Sequence, residues 1–495
     1  GYYDYNSQYI RMYRSRGYYN SDSGVNILEP KADTDLTLSD ESGEQNIISQ
    51  MGSTMAFDSF TYNGSTYIVG SGSVATFYYD DEYKDYDSGY TSYSDEEDVT
   101  NCVEYADPAL YPECQNFGFA TRGFIWNMTD DLGPNDSSNH FWIADWETDT
   151  TGTYHEYNDD EASAQASVRA AVISEVDSYE SLPVLVGYNT QIDDYDNFLL
   201  QAAIFRPSTT SSFKVEESAW TTTFIENTTV EIDGDYIHSH SVATDINQNL
   251  VVIGNAKRDG DYPYEGMIAN RMFIADGSDE TPSAIFFNAQ DESIFFDSAG
   301  GNARSINNFN EIVGQVDAED HREVDGDERR HRGFIYAYDD TGTDSTRRSR
   351  FNNQAWWLDD LTNGGDYSDS NNHFRITDAS DINDAGVISA TAIQCFSDET
   401  ATSSMEYDST EHFAYCNDGY GDERIVAVQL LPITGSDSSN ITERVEDSSV
   451  TSRSGATMSW ALLLWMSVTC LIRRINLYSA YNVGRLWRVK HLIVD

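Results

Sequence analysis

The sequence predicts an all-β fold: repeated antiparallel sheets in a propeller-like series. Two recurring elements and the aromatic content predict it. The first element reads VATDINQNLVVIG (Val242–Gly254), ARSINNFNEIVG (Ala303–Gly314) and ASDINDAGVISA (Ala379–Ala390), with Asn247, Asn307 and Asn383 at its polar turns. The second is a small or aromatic residue followed by apolar and aromatic ones. It occurs as GFIW (Gly123–Trp126), AIFF (Ala284–Phe287), GFIY (Gly333–Tyr336), AWWL (Ala355–Leu358) and HFAY (His412–Tyr415). Hydrophobic residues make up only 39 %, but 33 Tyr, 22 Phe and 9 Trp can supply a core, which argues against wholesale disorder.

Runs such as VVIG and FIW are short, β-branched or aromatic, and bounded by turn residues, which marks strands. Asparagine tolerates positive φ and bonds its own backbone, so the Ile-Asn turn ends one strand and starts the next. A β-branched pair begins at the fourth residue after each Asn, except that Glu311 takes the first place in the second copy. Weaker relatives are STYIVG, ending at Gly70, and LPVLVG, ending at Gly187; AAIF (Ala202–Phe205) is a further aromatic member. Copies about 60–75 residues apart suit a repeated sheet with insertions, either a β-propeller or a β-solenoid. The plainer alternative is a non-repeating β-sandwich. The Ala-rich stretch Glu161–Val176 predicts one short helical insertion, and Asp81–Asp98 and Glu319–Arg332 read as charged loops. The organisation that follows is an N-terminal segment (1–54), a β-repeat domain (55–432), a polar Ser/Thr-rich linker (433–457), a C-terminal apolar helix (458–474) and a basic tail (475–495).

Charge narrows the partners. The chain carries 84 acidic and 29 basic residues, a net charge of −55, which repels phosphate backbones and argues against nucleic acid. Only five of the basic residues are Lys. An acidic, lysine-poor surface stays soluble where salt screens its self-repulsion, which points to a marine or halophilic source. An ordinary acidic secreted protein is the plainer reading. Residues 453–495 reverse the balance, with six basic residues against one acid.

The chain opens at Gly1 without Met or a signal peptide, which reads as a processed or truncated start. Met458–Ile472, MSWALLLWMSVTCLI, is uncharged and followed by Arg473-Arg474. Fifteen helical residues span about 22 Å, short of a hydrocarbon core of roughly 30 Å. A buried core helix is one reading. The flanking arginines and the preceding Ser/Thr run favour a membrane or sorting segment, with the acidic body outside. The tail resembles the GlyGly-CTERM class of bacterial sorting signals, with Gly455 and Trp460 carrying the match. That resemblance implies a membrane partner and an extracytoplasmic location, at the cell surface or secreted.

Cys102 and Cys114 form one local couple, Cys395 and Cys416 another; Cys470 lies in the apolar tail. Four body cysteines allow three pairings. The sequence-local one, Cys102–Cys114 with Cys395–Cys416, is the most economical, each bridge contributing about 3 kcal/mol. A Cys₄ zinc site lacks its short ligand spacing; free thiols are the remaining choice. Disulfides imply an oxidising compartment.

Candidate chemistry is sparse. Asp381-Ile-Asn383-Asp-Ala-Gly386 begins like a calcium loop but fails at Ala385 and Ala392, so it reads as the repeat turn. Asp325 and Asp327 make a weak cation site, weighed against pairing with Arg329, Arg330 and Arg332; weakly bound calcium is the one cofactor considered. His238 and His240 supply half a zinc site on a strand. No nucleophile elbow, zinc-protease helix motif or phosphate loop occurs. Trp356-Trp357 offers a sugar platform, of which a strand leaves one ring outward.

Together the two elements resemble the HAF repeat of extracellular bacterial proteins, matched by GFIW with DDLG (Asp130–Gly133) and by ASDINDAGVIS over roughly residues 55–430. The layout looks like an uncharacterised marine-bacterial family. The resemblance implies export and a repeat-built fold, and brings no catalytic residues. The expected function is an exported, cell-surface-anchored protein with a non-catalytic binding or structural role toward a glycan or protein. The alternative is an extracellular polysaccharide hydrolase, recognisable by a pocket with converging carboxylates and an aromatic wall.

Overall fold

The computed structural model describes residues 15–445, apart from 22–23, 34–40, 78–105, 108–117, 130–132, 148–162, 193–197, 217–218, 265, 289–291, 293, 323–328 and 365–370. The chain divides into Gly1–Val445 and Glu446–Asp495, and every described residue lies in the first unit. A hairpin, β1 (Tyr18–Ser21) and β2 (Gly24–Ile27), and a helix, Glu41–Met51, precede five antiparallel sheets. The first holds β3 (Thr54–Tyr62), β4 (Ser65–Phe77), β5 (Gly118–Asn127) and β6 (His140–Trp142). The second holds β7 (Ser167–Ile173), β8 (Pro183–Ile192), β9 (Phe198–Pro207) and β10 (Trp220–Phe224). The third holds β11 (Val230–Ile232), β12 (Asp235–Ile246), β13 (Val251–Arg258), β14 (Arg271–Asp276) and β15 (Ile285–Phe286). The fourth holds β16 (Gly301–Ile306), β17 (Glu311–Asp317), β18 (His331–Ala337) and β19 (Ala355–Trp357). The fifth holds β20 (Phe374–Ile382), β21 (Ile388–Phe396) and β22 (Asp422–Leu430). Each sheet is an up-and-down meander of sequence neighbours, so the fold is all-β and built from antiparallel sheets.

One irregularity makes the sheets equivalent. β3, β7, β12, β16 and β20 each carry a bulge in the same register against the following strand. Ala56 pairs with Gly70, Val168 with Gly187, Ala243 with Gly254, Ala303 with Gly314 and Ala379 with Ala390, and the bulge follows directly in all five. STYIVG and LPVLVG, faint in sequence, are therefore full structural counterparts of the three clear copies. The bulge also explains the recurrent glycine. A Cβ at Gly70, Gly187, Gly254 or Gly314 would collide with the carbonyl oxygen of Met55, Ser167, Val242 or Asn302.

Apolar clusters lie between successive sheets. Ile125, Leu185 and Phe205 join the first two; Ile204, Val252 and Phe273 the second and third. Ile253, Ile312 and Phe334 join the third and fourth; Ile335, Trp356 and Ile376 the fourth and fifth. A sheet covered on both faces needs strands that are apolar throughout, which is why VLV and FIW do not alternate. β22 departs from this, as the first strand β3 does with Met55 and Phe57 exposed. The residues of β22 alternate between half-buried and exposed, and Ile425 is 80 % exposed. The series is compatible with a propeller and ends on a sheet covered on one side.

Three sequence expectations need correction. The predicted helix over Glu161–Val176 contains β7 instead: Val168 and Ala170 are buried between sheets, and pairing with β8 overrides the helix preference of alanine. HFAY forms no strand; the third strand of the fifth sheet is β22, and His412–Tyr415 lies in the loop before it. The polar run after Pro432 does not simply leave the fold, because Arg444 is buried and donates to Asp359 O, Asn372 Oδ1 and Thr410 O.

Candidate functional site

The repeat turns are structural. Asn247 Oδ1 accepts from the amides of Asn249 and Val251, Asn307 Oδ1 from those of Phe309 and Glu311, and Asn383 Oδ1 from that of Val387. Leu250, Asn310 and Gly386 sit three residues on with φ of 60°, 60° and 76°, in the left-handed region. Two of the three side chains also reach the next sheet: Asn247 Nδ2 donates to Asn307 O at 2.9 Å, and Asn307 Nδ2 to Asn383 O at 3.2 Å. Glu311, out of pattern, is buried; it accepts from Asn307 Nδ2 at 2.6 Å and from Arg347 Nε at 2.9 Å.

The remaining sequence candidates separate. Cys395 and Cys416 are joined, with Cα atoms 5.6 Å apart. Cys102, Cys114, Asp325, Asp327 and the apolar stretch 458–472 lie outside the described residues. Among the described residues no helix is long and apolar enough to cross a membrane. His238 and His240 do not act together. The strand bulges between Ser239 and Val242, His240 has φ 48° and is exposed, and His238 is buried. Burial, with the Arg258 and Arg271 guanidiniums beside it, lowers His238 to about 4, surroundings that oppose a dication. Among the described residues no cluster of three His, Cys, Asp or Glu is set to hold a metal. Trp356 and Trp357 both pack into intersheet cores, so neither is a free platform.

A cavity of about 1030 Å³ opens beside the first two sheets. The β3–β4 turn brings Tyr62 and Tyr67, β6 brings Trp142, and Phe213 and Trp220 come from the segment leading into β10. Phe213 packs edge-on against Tyr62 and Trp220, with ring centres 5.8 and 5.2 Å apart. The N-terminal segment adds Lys31, whose Nζ stands 5.1 Å over the Trp142 ring, and Asp33. Arg122 lies 5.3 Å from the same ring and holds two carboxylates, Asp33 at 2.6 Å and Asp145 at 3.3 Å. The indole N–H of Trp220 is buried and has no acceptor among the described residues.

Three cations, Lys31, Arg122 and Lys214, face three carboxylates, Asp33, Asp145 and Glu216, so the cavity carries no formal excess charge in a strongly acidic protein. Flat aromatic faces among paired polar groups can stack sugar rings and bond their hydroxyls. The two carboxylates on Arg122 are drawn onto one cation and do not flank open space as an acid and a nucleophile would. The sequence reading missed every residue of this site. The only trace was the run FKVEESAW, Phe213–Trp220, where two aromatics bracket alternating charge.

A family model described as a protein of unknown function, DUF3466, matches residues 2–474, so the chain belongs to that family. No curated protein matches it.

Proposed function

We propose that this member of an uncharacterised family is an exported, cell-surface-anchored β-repeat protein that binds a glycan without cleaving it. The cavity beside the first two sheets carries the reading: aromatic walls, an unpaired indole N–H and balanced charge suit a neutral oligosaccharide. Export is supported by the Cys395–Cys416 bridge and the acidic composition; anchoring rests on residues 458–474 alone. Polysaccharide hydrolysis remains the alternative, because Asp33 and Asp145 do lie in the cavity.

The test is a neutral-glycan array with the full-length chain and Trp142→Ala. The intact protein should retain a neutral oligosaccharide, and the variant should bind it about tenfold less, the cost of one lost stacking face. Equal binding by both proteins contradicts the assignment, and release of reducing ends favours the hydrolase. Removing residues 453–495 should shift the protein from the membrane fraction to the medium.

A further inference from the structure

A second cavity, about 730 Å³, lies at the other end of the sheet series, where β18, β20 and β21 meet the loop 407–421. Its chemistry is opposite to that of the body. Arg329, Arg330, Arg332 and Arg375 line it, against Asp378 and Glu423. Arg329 is spent on Asp317 and Arg332 on Asp359. Arg375 is buried, and among the described residues it has no carboxylate partner; it donates to the carbonyls of Ser409, Glu411 and His412. Behind it lies Arg444, so that three buried guanidiniums, Arg332, Arg375 and Arg444, share two buried carboxylates, Asp359 and Asp360. Unbalanced buried charge is costly unless an anion joins it. Burial and the neighbouring Arg444 and Arg332 lower Arg375 to about 10, as such crowding requires.

Among the described residues, two buried nitrogens here have neither a hydrogen-bond nor an ion-pair partner, Nδ1 of His412, whose Nε2 faces Asp360 Oδ1 at 3.2 Å, and Nη2 of Arg444. The mouth is aromatic. Exposed Arg330, without a carboxylate partner among the described residues, lies 4.7 Å over the Phe413 ring, and Tyr415 is 62 % exposed. Arginines beside exposed rings match a sugar that carries an oxyanion: the guanidinium forks to carboxylate or sulfate while the ring face stacks.

We propose that this cavity is a second binding site, for an acidic saccharide bearing carboxylate or sulfate groups. The proposal stands apart from the neutral-glycan reading, because no residue is shared between the two cavities. A body of net charge −55 repels such a ligand at long range, so binding should be stronger at physiological salt than at 10 mM, where the Debye length is about 30 Å.

The test is calorimetric titration of the full-length chain at 0.15 M salt with oligogalacturonate, with a sulfated galactan oligosaccharide, with a neutral galactan oligosaccharide and with inorganic sulfate. At least one of the two acidic saccharides should bind, and the neutral one should not compete for that site. Arg330→Glu should weaken binding at least thirtyfold and Arg330→Lys less; Arg330 is exposed and holds no carboxylate among the described residues, so both variants should keep the parent melting temperature. Equal affinity for Arg330→Glu, no binding of either acidic saccharide, or sulfate binding as tightly as the saccharide would each overturn the assignment.

Discussion

The two cavities differ in every respect except the scaffold that holds them. One balances three cations with three acids and walls the space with Tyr62, Phe213, Trp142 and Trp220; the other concentrates arginine in a chain that has almost three acids for each base. In both, repeat strands supply part of the lining, such as Trp142 and Trp220 in one and Arg332 and Arg375 in the other, and segments outside the strands supply the rest. Lys31 and Asp33 precede the first sheet, Phe213 lies between strands, and Phe413 and Tyr415 lie in the loop closed by Cys395–Cys416. Strands and connecting segments thus share in deciding what each cavity can hold.

The largest expected effect removes the scaffold from beneath both. Gly314→Val places a branched side chain against Asn302 O, where even a Cβ does not fit. The five sheets share continuous cores, so the variant should lose its cooperative unfolding transition, followed by circular dichroism, and neither cavity should survive. Loss of the cavity nearer the fourth sheet alone would show that the sheets fold independently.

Asn307→Ala removes donors to Glu311 and Asn383 and strands the amides of Phe309 and Glu311. Four bonds at about 1 kcal/mol each predict a loss of about 4 kcal/mol in urea denaturation. The same change at Asn383, the end of the chain of turns, should cost less, since the one bond shown for its side chain is the one to Val387.

Opening the bridge sharpens the contrast. Cys395→Ser with Cys416→Ser should cost about 3 kcal/mol and weaken oligogalacturonate binding while neutral-glycan binding stays unchanged. A change at both cavities would mean that the loop is not a local device.

The smallest effect belongs to the bulged strands. Asp245 takes the amides of Ile246 and, in the next sheet, Ile306; burial, with Asp58 adding to it, raises its carboxyl to about 7 from an ordinary 3.8. The folded state therefore holds a proton there that the unfolded chain has lost. This contribution to stability is complete below about pH 4 and fades as pH rises through 7. Melting temperatures across pH 4–7 should decline more steeply in the parent than in Asp245→Asn.

Much of the scaffold was legible in the sequence. Ile-Asn turns and the β-branched run after them follow from local backbone chemistry, so three copies could be seen directly. The copies ending at Gly70 and Gly187 looked weak because their Asn is missing; what they share is the bulge, a register feature that leaves only glycine as its trace. β7 was misread because alanine there serves close packing between sheets, which propensity does not register. Neither cavity was legible. Buried arginines such as Arg375 and Arg444 look like surface charge in a sequence, and Trp220 and Lys31 come to line one cavity only after the chain has passed through seven strands, β3 to β9.

The claim that one scaffold carries two chemically distinct sites has a direct test. The full-length protein is saturated with the neutral oligosaccharide retained on the array and then titrated with the acidic one, and the order is reversed in a second run. The structure predicts one further equivalent bound in each direction, with affinities unchanged by the first ligand. Displacement of either saccharide by the other, or no second binding event, would contradict it.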